Sequence, residues 1–375
     1  MATVPQSACK IEKTENTKMT DANYNYISYF RPGIDAMEGY APGEQPKTGN
    51  IVKLNTNESP FPPSPGVKQA LLEFDTARLR RYPDPVSSLL REEISAMNGY
   101  EPENIITGNG SDDLLTILTR CFTDENRAMA CFDPSYSLYP TLADLQGCRC
   151  IRIPLTESFD IPDDALERAA GANLFLIARP NAPTGNLFAK AAMDKICSGF
   201  KGIVVIDEAY ADFSRDNCLE FVKKYSNVVI TRTFSKSRSL AGLRFAFAVA
   251  HPKIIAGMMK MKDSYNVSML TQKLALASLR DSAYFEKCVS EIKANRIFLA
   301  EGLRALSFEV LPSETNFLFV KPPENAGKYF QDLKCRNILV RYFPMERTCS
   351  FVRITVGSSD EIAALLQATG EILSR

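Results

Sequence analysis

The chain has 375 residues, and its 44 basic and 44 acidic side chains cancel to a formal net charge of zero. That length exceeds one compact core and predicts two domains, or a large domain with a smaller satellite. Balanced charge and the lack of an apolar run long enough to span a bilayer argue against nucleic-acid and membrane partners, and one histidine with no Cys-x-x-C pair leaves no metal site or Ser-His-Asp triad to expect.

Residues 1–30 are polar, carry Glu12, Glu15 and Asp21, and have no apolar signal core, which predicts a cytoplasmic protein with reduced, mostly buried thiols. Cys148 and Cys150 are expected to point the same way from one strand. A loose start and an arm fill residues 1–50. Pro and Gly predict extended, irregular structure over 31–66, with one short strand over 51–55. Helical spacing marks 64–74, 87–99 (with Gly99 as C-cap) and 112–122. Strands are expected at 128–133, 149–155, 173–180, 202–210, 227–234 and 244–250, with helices at 137–147 and 189–200. The runs "LFLI", "IVVI" and "VVIT" are apolar without alternation, as in strands covered on both faces within a largely parallel sheet. His251, after "FAFAVA" and before Pro252, reads as a loop residue. Long helices follow over 268–280 and 285–306, then strand-like pieces at 316–321, 338–343 and 351–357 and a last helix over 359–375. The predicted organisation is α/β: a large domain over 51–275 with a mostly parallel sheet flanked by helices, and a smaller α+β domain over 276–375.

Ligands of an open parallel sheet collect at the carboxyl ends of its strands, and four stretches with unusual chemistry fall there. "TGNGSDDLL" (107–115) puts Gly110 before Ser111 and Asp112 at a helix start, where free N–H groups suit a phosphate. Taken by itself it reads more readily as a glycine turn with a Ser or Asp cap. "ARPNAPTGN" (178–186) is a rigid turn centred on Asn181. "GIVVIDEAYADF" (202–213) ends an apolar strand on Asp207, with Tyr210 three residues on; a carboxylate there calls for a cation, or caps a helix or pairs with an arginine. "TFSKSRSLAGLR" (233–244) surrounds Lys236 with hydroxyls and arginines. A lysine amine with a lowered pKa bonds covalently to an aldehyde, and Ser235 and Arg244 suit a phosphate. Together the four predict one ligand: an aldehyde on a pyridinium ring with a phosphate tail, pyridoxal 5′-phosphate.

The ordered set "NESP", "RYPDP", "GNGSDD", "DPSYSLY", "PNAPTG", "DEAY", "TFSKSRSLAGLR" and "VRITVG" resembles the fold-type I, aspartate-aminotransferase-like enzymes, and more closely the histidinol-phosphate aminotransferases, over nearly all of residues 31–375. The resemblance implies roles. Lys236 would hold the cofactor covalently and then move a proton at the substrate carbon. Asp207 would face the ring nitrogen, Tyr210 and Asn181 the ring oxygen, and Tyr136 the ring face. Gly110, Ser111, Asp112, Ser235 and Arg244 would hold the phosphate, joined by Tyr82 of a neighbouring subunit in a homodimer with a shared site. Arg353 would grip the carboxylate of glutamate, and Arg341 and Tyr40 would contact the phosphorylated substrate. The implied reaction is amino transfer between L-histidinol phosphate and 2-oxoglutarate, in histidine biosynthesis. Arg179 and Ala182 depart from the common "NPNNPTG" but keep Asn181. An aromatic-amino-acid aminotransferase or a threonine-phosphate decarboxylase would share every cofactor motif. A non-catalytic cofactor-binding regulator is disfavoured by Lys236, and a nicotinamide-dependent dehydrogenase by the lack of a strand leading into G-x-G-x-x-G.

Overall fold

The computed structural model describes residues 29–31, 33–37, 39, 43–45 and 51–374. Contacts divide the chain into two units, Met1–Met37 and Glu38–Arg375. The described part of the first holds a 3-10 turn, Ile34–Ala36. Most of the expected arm, Tyr40 included, lies outside the described residues.

The second unit opens with β1 (Val52–Lys53) and continues through β2 (Ile105–Gly108), β3 (Ala128–Asp133), β4 (Cys150–Pro154), β5 (Ala172–Ala178), β6 (Ile203–Asp207), β7 (Val228–Thr233) and β8 (Ala246–Ala250). Seven of these form one sheet in the order β2-β8-β7-β6-β5-β3-β4. Only β8 runs against its neighbours. Unbroken apolar runs predict that both faces of the sheet are covered, and they are. Phe175 and Ile177 of β5, Val204 and Ile206 of β6 and Val228 and Ile230 of β7 enter one core. Leu174 and Leu176, Val205 and Val229 point the opposite way into another. Period-two alternation splits each run between two buried layers.

Beyond these, β9 (Glu309–Val310), β10 (Phe317–Lys321), β11 (Ile338–Leu339), β12 (Arg341–Tyr342) and β13 (Val352–Thr355) follow in the chain. A four-stranded antiparallel sheet, β12-β13-β10-β9, packs with the helices Ser282–Ala305, Ala326–Lys334 and Ser359–Leu373 around a third core. The last of these helices starts at a capping box between Ser358 and Glu361, which satisfies two otherwise orphaned N–H groups. Gly99 closes its helix in the left-handed region at φ 68°, as its position predicts.

Several expectations change. The run 338–343 is not one strand: it breaks at Val340, because β11 pairs in parallel with β1 whereas β12 pairs antiparallel with β13. The strand β2 and the helices Pro252–Met261 and Ala326–Lys334 are not among the elements expected from sequence. With the sequence IITG, β2 offers only two consecutive apolar side chains, too few for a periodicity that distinguishes it from a loop. His251 is the N-cap of the helix Pro252–Met261, where its Nδ1 accepts from the Lys253 N–H. Cys148 precedes β4 rather than sharing it with Cys150; the Cys150 Sγ lies 3.8 Å from that of Cys131 on β3.

Candidate active site

Parallel strands end on one edge of the sheet, and that edge gathers residues far apart in the chain. Gly108 ends β2, Ala178 ends β5, Asp207 ends β6 and Thr233 ends β7. Because β8 runs the other way, its first residue, Ala246, pairs with both Gly108 and Thr233. That register brings Arg244 to the same edge. A cavity of about 210 Å³ opens there, and its walls include Ser111, Asp112, Tyr136, Asp207, Tyr210, Ser235, Lys236, Arg244, Arg341 and Arg353.

Lys236 follows β7 by three residues. Its Nζ donates to the Thr56 carbonyl at 3.0 Å and sits 6.0 Å from the centre of the Tyr210 ring. Loss of water around the amine, with the Arg353 guanidinium adding repulsion, brings its pKa down to about 8. Facing it across the cavity edge, Asp207 is 5% exposed and accepts from Tyr139 Oη and Thr231 Oγ1, each at 3.0 Å. Burial raises its pKa to about 6 although both hydroxyls favour the charged form. Among the described residues no ion pair reaches it.

The raised Asp207 pKa has a direct effect on stability. The folded state binds this proton more tightly than the unfolded chain does, so the group costs nothing below pH 3.8; the cost grows as pH rises and is full above about 6. The difference corresponds to about 3 kcal/mol at neutral pH. Asp207→Asn is therefore expected to raise the melting temperature of the cofactor-free protein at pH 7.5 and to flatten its pH dependence between 4 and 6, read by calorimetry. A variant that melts lower than wild type at pH 7.5 would contradict the unpaired-carboxylate account.

The helix Ser111–Phe122 points its free N–H groups at the cavity from behind Gly110, which has φ 89°. The left-handed backbone calls for glycine at this position, and a Cβ there would also push the end of the Arg244 side chain aside. Arg244 reaches Asp112 at 3.2 Å, and Tyr136 donates to the other oxygen of the same carboxylate at 3.2 Å. Ser235 is buried beside Thr233, whose hydroxyl donates to it at 2.9 Å. Helix N–H groups, a hydroxyl and a guanidinium around a glycine form a donor set that suits a phosphate.

On the other sheet, Arg341 and Arg353 are direct cross-strand partners in the β12–β13 pair. Directly opposed side chains share a face, and like charges so placed repel. Arg353 Nη2 donates to the Asn55 carbonyl at 3.0 Å, and its guanidinium lies over Phe317 and Phe343. Arg341 also stacks on Phe343. The arrangement concentrates positive charge on one wall of the cavity, a setting for an anion.

Of the predicted residues that are described, Gly110, Asn181 and Tyr82 do not line the cavity, Gly110 preceding Ser111, which does. Asn181 is fully buried with its amide committed: it donates to the Pro134 carbonyl and to Thr184, and accepts from Ser135. Its role here is to tie the 181–186 turn to the loop that carries Tyr136. Tyr82 is 76% exposed and stacks on Tyr265 at 4.3 Å. Sequence reasoning misses Tyr139, Thr231, Thr56 and Asn57, whose amide donates to Tyr210 Oη at 2.9 Å. Tyr139 has a local signal, one helical turn after Tyr136. Thr231 has none until the register sets it opposite Asp207.

Known proteins similar to this chain identify its family. The family model described as aminotransferase class I and II matches residues 49–368. A histidinol-phosphate aminotransferase of Geobacter sulfurreducens is 43% identical over 92% of this chain and 99% of its own length. "Histidinol-phosphate aminotransferase 1" of Trichormus variabilis is 41% identical over 92% and 99%. Among solved structures, a histidinol-phosphate aminotransferase of Sinorhizobium meliloti in complex with pyridoxal-5′-phosphate shares the fold, with a TM-score of 0.82 at 23% identity over 93% of this chain and 99% of that one.

Proposed function

The chain belongs to the class I and II aminotransferases, and from that premise we propose that it transfers an amino group between L-histidinol phosphate and 2-oxoglutarate, using pyridoxal 5′-phosphate, in histidine biosynthesis. The observation that carries the substrate is the opposed pair Arg341 and Arg353, two guanidinium groups that line the same cavity as the amine of Lys236. The relatives' shared activity supports the same reading.

The residues present suit the cofactor. The glycine-backed helix start, Ser235 and Arg244 would hold its phosphate. Asp207, buried and without an ion pair among the described residues, would meet the positive ring nitrogen, which would stabilise its charged form. Tyr136 would lie on the ring face, and Tyr210 would hold the ring oxygen. Bound there, pyridoxal phosphate supplies an aldehyde for the amine and a ring that stabilises negative charge at the adjacent carbon. Lys236 serves first as attachment point and then as base: its Nζ, whose neutral form is made more accessible by the lowered pKa, takes the proton from the substrate carbon and returns one at the other end of the transfer. Arg353 holds the carboxylate of glutamate in one half of the reaction and the phosphate of the other substrate in the second half, with Arg341 adding to the latter.

The active species is read as a homodimer that shares its site, with Tyr82 reaching the neighbouring cofactor phosphate. Leu71, Leu72, Leu79, Tyr82, Leu89 and Met97 all remain exposed within residues 65–98, an apolar surface that suits a second copy of the chain. Residues 51–275 and 276–375 are taken as its large and small domains. A cytoplasmic location suits the scatter of ten cysteines.

Glutamate formation from L-histidinol phosphate and 2-oxoglutarate tests the reading, with phenylalanine as the competing donor. Arg341→Ala is expected to lower kcat/KM for histidinol phosphate by about 100-fold and for phenylalanine by less than about threefold, since only the first loses a charged contact. Equal losses for both donors would remove Arg341 from phosphate binding. Transfer from phenylalanine alone by the wild type would move the function to the aromatic aminotransferases.

A further inference from the structure

Behind the cavity wall, each of three site residues is followed by a residue that faces the opposite way. Glu208 follows Asp207, Arg232 follows Thr231, and Ser237 follows Lys236. These neighbours form a polar chain of their own. The Cys218 N–H donates to Glu208 Oε1 at 2.5 Å, and Arg232 donates to Glu208 Oε2 through Nε at 3.0 Å and Nη2 at 2.8 Å. Arg232 Nη1 lies 3.7 Å from Asp212 Oδ1, and Ser237 Oγ donates to Asp212 Oδ2 at 2.5 Å. Ser237 and Glu208 are buried. Arg232 thus sits between two carboxylates, one fixed to the sheet and the other fixed to the residue next to Lys236.

The turn that carries Lys236 needs such an anchor. It contains two non-glycine residues in the left-handed region, Ser239 at φ 57° and Arg244 at φ 56°, which cost energy that the surroundings must offset. Nor is the turn fully packed from behind. A second cavity of about 160 Å³ lies there, bordered by Phe234, Arg238, Asp212 and Arg232. On that side Arg238 donates to the Ser278 carbonyl at 2.6 Å and lies over Phe285, while the Ser237–Asp212 bond is the tie at the residue next to Lys236 and so bears on where the lysine stands.

We propose that Asp212 and Ser237 are positioning residues for Lys236: the carboxylate, oriented by Arg232, pins the turn so that the lysine amine reaches Thr56 and faces the reacting carbon. The proposal rests on the transamination reading of the site. Neither side chain touches substrate or cofactor, so their effect is on the geometry of proton transfer and attachment rather than on substrate affinity.

Wild type, Ser237→Ala, Asp212→Ala, the double variant and Asp212→Asn test this. Each is loaded with pyridoxal phosphate and assayed for kcat and both KM values with L-histidinol phosphate and 2-oxoglutarate. In parallel, each cofactor-free protein is mixed with pyridoxal phosphate, and the rate of attachment is read as borohydride-fixed mass on the Lys236 peptide. Each alanine variant is expected to lower kcat about tenfold, to leave both KM values within about twofold and to slow attachment about fivefold. The double variant should fall no further than the weaker single one, because both act through one bond. Asp212→Asn keeps an oxygen that accepts from Ser237 and should stay within about threefold of wild type. Variants that melt lower but keep wild-type kcat and attachment rates would overturn the proposal. So would losses that multiply in the double variant, or an Asp212→Asn loss as deep as that of Asp212→Ala. If wild type attaches the cofactor but takes no amine from histidinol phosphate, the substrate reading fails, and the attachment rates still decide the role of the pair.

Discussion

Lys236→Ala is expected to lower amino transfer by at least about 10,000-fold, since in the proposed mechanism it removes both the attachment point and the base that moves the substrate proton. The amine is prepared for this by its surroundings. Its pKa falls from 10.5 to about 8 because the cavity strips it of water and Arg353 adds positive charge. At pH 7 that shift raises the neutral fraction by about 300-fold over an ordinary lysine. The sign carries over to stability: folding disfavours the ammonium form, so the cost is full below about pH 8 and disappears as pH rises past 10.5. Lys236→Ala should therefore not destabilise the cofactor-free protein at neutral pH. Glutamate formation, borohydride-fixed mass on the 233–244 segment and a melting curve together check the result. A variant that retains turnover within about tenfold of wild type would remove Lys236 from the chemistry.

Arg353→Ala is expected to lower kcat/KM by about 1,000-fold with both glutamate and L-histidinol phosphate, the loss associated with truncating one partner of a desolvated charge pair. Both substrates carry an anion at the end remote from the reacting carbon or beside it, and Arg353 lies nearer the Lys236 end of the wall: it donates to Asn55 beside Thr56, the partner of the lysine amine. Arg353→Lys should not restore more than a small part of this activity. A lysine cannot reproduce the planar fork that meets two anionic oxygens while holding Asn55 and stacking on Phe317 and Phe343. Loss with one substrate only, measured in the two half-reactions separately, would assign Arg353 to that substrate and leave the other to Arg341.

The order of substitutions in their severity follows from how each residue meets the reaction. On the proposed reading, Lys236 acts on covalent bonds, Arg353 on both bound substrates, Arg341 on one, and Asp212 and Ser237 only through the lysine. A measured ranking that put Arg341 above Lys236 would be incompatible with this division.

Much of the site is legible in the amino-acid sequence. The lysine among hydroxyls, the acid ending an apolar strand and the glycine before a helix start are each local features, set by residues within a short stretch of one another. The apolar runs of β5, β6 and β7 identify a covered parallel sheet because every second residue must face each layer, and both layers are buried. Once the sheet is parallel, its strand ends share an edge, so the cofactor residues can be grouped from their order alone.

What stays hidden depends on register between distant segments. The chain marks Arg341 and Arg353 as basic residues in strand-like pieces, but only the antiparallel pairing of β12 with β13 sets them opposite one another. Thr231 becomes a partner of Asp207 only when β6 and β7 align, and Thr56 becomes the acceptor for Lys236 only when the 55–58 segment runs along β13, where Asn57 N–H meets Thr355 Oγ1. Asn181, singled out for a cofactor contact, also donates to the Pro134 carbonyl and to Thr184, partners that no local pattern marks. By itself the sequence determined which chemistry the strand ends carry, since that chemistry is written in neighbouring residues. The tertiary structure decided which side chains oppose, anchor or neutralise one another, since a one-residue slip of register would turn each of them to the other face.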